Sequence, residues 1–234
     1  MNPAVLLVFI VYIAATGASN YYEQFSDYEW TLPEIGRGVK VEAKVFYDST
    51  LASTGPSENE VTEAEKEPSI EDFQKLFKLV ELYFQAMSIM INIEVKSTEK
   101  IDTLGVPHEQ GSLNANATLE KLKEHVASEQ DGNNTIYYLF TKSPLIAKES
   151  GEDQDDSYMY YGTFETFCSG MNSAVVVHHQ SMEDYSNAVG ATAWMFGLTG
   201  YDSVEMDFFT LLWVFQYCPK SACPAHCSQQ CPAA

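Results

Sequence analysis

Between residues 39 and 140 the spacing of apolar side chains switches repeatedly from every second position to every third or fourth, and this alternation restricts the class of fold. Val39, Val41, Ala43, Val45 and Tyr47 alternate with Lys40, Glu42, Lys44 and Phe46, the pattern of a strand with one buried face. Ser69 and Asp72 form a capping-box pair, after which Ile70, Phe73, Phe77, Val80, Phe84 and Met87 recur at helical steps. That stripe predicts a helix packed on a core. Residues 91–95 return to two-residue alternation, residues 113–127 carry a second helical pattern, and residues 136–140 read as a buried strand. Parallel strands need long crossovers, so the order strand, helix, strand, helix, strand predicts an α/β fold with a mostly parallel sheet and flanking helices. Further strands are expected at 158–164 and 174–177, and helices at about 184–198 and 204–217. Residues 52–68, rich in Ser, Thr, Glu, Gly and Pro without a period, read as a solvated loop.

Ahead of this pattern, residues 3–15 form an almost unbroken apolar run followed by small residues, with no Lys or Arg before it. The run is too short to span a bilayer comfortably and reads as a signal peptide cleaved near Ala18. The expected organisation is a signal peptide at 1–19, one domain at 20–217 and a cysteine-rich tail at 218–234, secreted and free of membrane after cleavage. A formal charge of −20 repels phosphate backbones and anionic lipid surfaces, which argues against nucleic-acid or membrane partners. It suits a cationic partner, or solubility at high concentration.

Of the five cysteines, Cys168 stands alone while Cys218, Cys223, Cys227 and Cys231 cluster in the tail. In an oxidising compartment these read as a disulfide staple, with Cys168 tied to one of the four. The rival reading is a zinc knot that includes His226. Asn116 and Asn133 head Asn-x-Thr sequons, so both are expected at the surface and glycosylated. The acidic stretch 149–156 lacks the regular ligand spacing of a calcium loop and reads as solvated surface.

The last third of the chain resembles a known family. Residues 160–164 (Tyr-Tyr-Gly-Thr-Phe), Cys168-Ser169, residues 173–177 (Ser-Ala-Val-Val-Val) and residues 191–193 (Ala-Thr-Ala) resemble the approach to the active-site helix of reprolysin-type metzincin metalloproteases. The segments 45–50 and 91–95 look like that domain's opening. With the leader, the acidity and the cysteine cluster, the chain further resembles secreted metalloprotease-like proteins of tick saliva, the 28 kDa metastriate family. The resemblance implies a metzincin-like domain with an antiparallel edge strand.

It also implies His-Glu-x-x-His on a helix, where imidazoles four residues apart grip Zn²⁺ and the Glu activates the bound water. Read by spacing after residues 191–193, Trp194 stands at the first His, Met195 at the Glu and Leu198 at the second, with Phe196 and Gly197 between. None can bind zinc, so no catalytic, cofactor or metal residue is expected. Trp194 and Leu198 are instead expected on one buried helix face. His178 and His179, adjacent on a strand, should point to opposite sides, and His108, His125 and His226 have no ligand spacing. The function implied is a catalytically inactive binder of an extracellular host protein, with the edge at 158–164 as a place for an added peptide strand. The alternative is a zinc metalloendopeptidase with a non-standard site.

Overall fold

The structure, a computed structural model, describes residues 33–52, 67–148, 155–199 and 208–220. The leader, most of the acidic stretch, and Cys223, His226, Cys227 and Cys231 lie outside the described residues.

The first strand, β1 (Lys40–Tyr47), lies inside the main sheet rather than at its edge. It pairs in parallel with β2 (Asn92–Lys100) on one side and β4 (Thr135–Thr141) on the other. β4 pairs in parallel with β8 (Ser173–His178), and the short β7 (Tyr160–Gly162) closes that side as an antiparallel edge. The order is β2-β1-β4-β8-β7, the mostly parallel sheet with an antiparallel edge that was expected.

Helices cover both faces of β4 and β8, which are accordingly apolar on both sides, whereas β1 keeps Lys40, Glu42 and Lys44 on one half-exposed face. On one face α1 (Ile70–Ala86), α3 (Ser186–Met195) and α4 (Phe208–Gln216) pack over Val45, Tyr138, Phe140 and Val175. On the other, α2 (Ala115–Val126) packs Leu119, Leu122 and Val126 over Tyr137, Leu139 and Val176. Every residue of β4 is buried, the reason residues 136–140 read as a continuous apolar run. The α1 capping box is formed: Ser69 N donates to Asp72 Oδ2 at 3.0 Å, and Asp72 N to Ser69 Oγ at 3.3 Å. Phe73, Phe77 and Phe84 of its apolar stripe are fully buried, each worth roughly 2 kcal/mol of transfer free energy.

A smaller sheet of β3 (Leu113–Asn114), β5 (Leu145–Lys148) and β6 (Asp155–Tyr158) lies beside the main one. It corrects two expectations. Leu113 and Asn114 are extended, and Asn114 caps α2 by accepting from Ala117 N at 2.9 Å. The strand expected at 158–164 is divided at Met159 between two sheets: β6 pairs with β5, whereas β7 pairs with β8. The helix expected at 184–198 stops at Met195.

Cys168 and Cys218 form a disulfide, Cα to Cα 5.0 Å, across 50 residues of chain. It joins the loop after β7 to the end of α4, so the lone cysteine is tied to the first of the tail cluster.

Candidate functional site

The residues singled out by sequence meet where α3 crosses β7. Just before α3 stands Asp184, whose Oδ1 accepts from Ser186 N at 3.0 Å and Ser186 Oγ at 2.6 Å; these bonds hold its carboxyl below the ordinary range. Ala188, Val189, Gly190, Ala191, Thr192 and Ala193 are all buried, and their small size lets the helix lie close to the sheet. Thr192 shares a hydrogen bond of 2.9 Å with the fully buried Tyr138 hydroxyl, which burial keeps protonated.

Gly190 marks the closest approach. A Cβ there would lie 2.5 Å from Cε1 of Tyr160, so the tyrosine ring fills the space a side chain would need. One turn on, Trp194 is half-buried, its ring edge-on to Phe164 at 4.6 Å and tilted against Tyr160 at 6.4 Å. Its Nε1 donates to the Gly162 carbonyl at 3.0 Å. That carbonyl belongs to the outer side of the edge strand. Met159 O accepts from His178 N and Thr163 N donates to Ala174 O, so the alternate residues Tyr160 and Gly162 turn their backbone groups away from β8. Trp194 therefore occupies a position that an added strand would use. Sequence spacing does not reveal this contact.

The end of α3 is a Schellman motif. Gly197 N donates to Trp194 O and Leu198 N to Ala193 O, both at 3.0 Å, with Gly197 at φ 84°. Met195 is fully buried, and its sulfur accepts from Thr163 Oγ1 at 3.5 Å and Thr166 Oγ1 at 3.8 Å. Glu165 N and Phe167 N donate to the carbonyls of Trp194 and Met195, completing the helix end with backbone from the loop after β7. Leu198 is fully buried but lies beyond the helix. The expectation that Trp194 and Leu198 stack on one buried helix face is thus corrected: a positive-φ glycine separates them, and Trp194 is only half-buried.

The histidines are dispersed. His178 Nδ1 lies 3.1 Å from Ser143 O and its Nε2 lies 3.3 Å from Gln180 Nε2. His179 is buried edge-on to Phe140 at 5.2 Å, and its Nε2 has no hydrogen-bond partner. Burial pulls its pKa down to about 4, against the opposing pull of Asp184. His125 is exposed, edge-on to Phe46, and His108 lies in the loop before α2. Among the described residues no three His, Cys, Asp or Glu side chains stand together as metal donors. Asn116 and Asn133 are both exposed, while the threonines of their sequons, Thr118 and Thr135, are buried.

No protein-family model matches the chain, and no curated protein matches it. Among solved structures, metalloproteinase-II from Bacteroides fragilis superposes with a TM-score of 0.46 at 11% identity, covering 80% of this chain and 57% of that one. Archaemetzincin from Methanopyrus kandleri superposes at 0.37 and 14% identity, covering 70% and 75%. A chaperone–substrate complex superposes at 0.40 and 10% identity, covering 70% of this chain and 24% of that one. The chain therefore spans little more than half the length of the first.

Proposed function

We propose that the chain is a secreted, metzincin-like protein without zinc chemistry of its own, which acts by binding an extracellular protein. What fills the junction of α3 and β7 carries this reading. In the metzincin pattern the helix with the two imidazoles is followed by a glycine three residues beyond the second. The positive-φ glycine just beyond α3 is Gly197, and with Gly197 in that place Trp194 stands at the second imidazole, Gly190 at the first and Ala191 at the general base. The register read from spacing alone puts Trp194, Met195 and Leu198 there instead. Neither set contains an imidazole or a carboxylate, so neither can coordinate zinc or take a proton from water.

The packing agrees with the side chains. Tyr160 occupies the space beside Gly190, and Trp194 lies on the outer carbonyl of the strand that would receive an extended peptide. Strand addition at Gly162 would require Trp194 to leave, so the partner is expected to dock elsewhere. The strand order, the antiparallel edge and the motifs quoted above support the metzincin-like reading. The resemblance to tick salivary proteins supports a host protein as target.

Elemental analysis and protease assays on the purified secreted protein test the proposal. Zinc well below one atom per chain, together with no cleavage of generic protein substrates, is expected. One zinc per chain with chelator-sensitive cleavage would establish the metalloendopeptidase alternative instead.

A further inference from the structure

We propose that the exposed aromatic face of α4 is the seat of the chain's own carbohydrate, attached at Asn133; this rests on the secretion reading above. α4 has no charged residue, and while Leu211, Val214 and Phe215 are buried, Phe209 is 80%, Trp213 60% and Tyr217 54% exposed. These three follow one another at steps of four and line one side of the helix. Single exposed apolar residues need no explanation, but a contiguous aromatic face on a chain of charge −20 does.

Towards the end of α4 this face becomes the floor of an open cavity of about 560 Å³, within the size range of small-ligand sites. Trp213, Tyr217, Ser169, Glu165 and Asn133 line it. Asn133 heads the sequon Asn133-Asn134-Thr135, so an attachment point and an aromatic floor share one cavity. Asn133 Nδ2 donates to the Cys168 carbonyl at 3.4 Å, and Cys168 is disulfide-bonded to Cys218 just after α4. The amide is thereby held beside the helix. A sugar ring offers a C–H face to Trp213 and Tyr217, and its hydroxyls reach Ser169 and Glu165 at the wall. The other sequon asparagine, Asn116 on α2, lies on the opposite side of the sheet.

The test uses Asn116→Gln protein, secreted through a heterologous leader from a glycosylating cell, so that Asn133 carries the remaining sequon. Peptide N-glycosidase then strips the folded protein, with Asn133→Asp as the control for the residue this leaves behind. We expect Asn133 to be occupied, and stripping to raise acrylamide quenching of tryptophan emission about twofold as Trp213 loses its cover. Trp213→Phe should abolish that increase. A bare Asn133 in the secreted protein, or quenching unchanged by stripping, would overturn the proposal. Expression in parallel with the native leader separates the two readings, since intracellular retention there would refute secretion while leaving the docking result intact.

Discussion

The indole nitrogen of Trp194 donates to the carbonyl of Gly162 at 3.0 Å, fastening the last turn of α3 to the outermost strand of the main sheet. Because the ring is half-buried, Trp194→Ala should lose ring contacts and one hydrogen bond rather than open a sealed cavity. The expected loss is about 2 kcal/mol, below the 3–5 kcal/mol of a fully buried tryptophan. Trp194→Phe, which keeps most of the ring contact, should lose about 1 kcal/mol. Urea unfolding of both variants measures this, and an Ala variant as stable as the parent would place the ring outside the packing described.

Gly190 should tolerate no side chain while Tyr160 is present. Gly190→Ala removes conformational freedom from the unfolded helix, a small gain, yet drives a methyl into the Tyr160 ring; the net expectation is a loss of about 1–3 kcal/mol. In the Tyr160→Ala background the same substitution should be close to neutral. A double-mutant cycle reads the difference, and additive losses would show that the two residues do not meet.

Acid should weaken the fold through His179. Its pKa falls from an ordinary value near 6.5 to about 4 on folding, so the unfolded chain binds the proton more readily between those limits. The contribution is fully present above pH 6.5 and is lost as the pH drops towards 4, amounting to about 3 kcal/mol. His179→Gln should flatten the pH dependence of unfolding in that window. An unchanged slope would assign acid sensitivity to other groups.

Much of the fold is legible because its signals are local. The β1 alternation, the Ser69–Asp72 cap and the apolar run of β4 each depend on neighbours in sequence, and each forms as read. The division at Met159 is not local, since it arises from two sheets that claim Tyr158 and Tyr160 separately. At the candidate site, motif spacing set Leu198 four residues from Trp194 and overlooked that Gly197, an ordinary helix-ending glycine, breaks the face between them. The burial of His179 and the closure of the edge by Trp194 depend on residues distant in sequence. Composition and periodicity carry no record of either.

The central place of β1 sets an order of events during synthesis. β1 emerges first but can gain β4 only after Thr135 is made; Glu42 and Thr135 are register partners. The face shared with α3 and α4 stays open still longer, until Leu211 and Phe215 arrive to cover it. A chain whose pairings are this remote in sequence folds slowly and shows unpaired strand and apolar surface to its surroundings while it waits. Cys218 follows every described strand and helix in the chain, so the Cys168–Cys218 bridge can close only after all of them have been made.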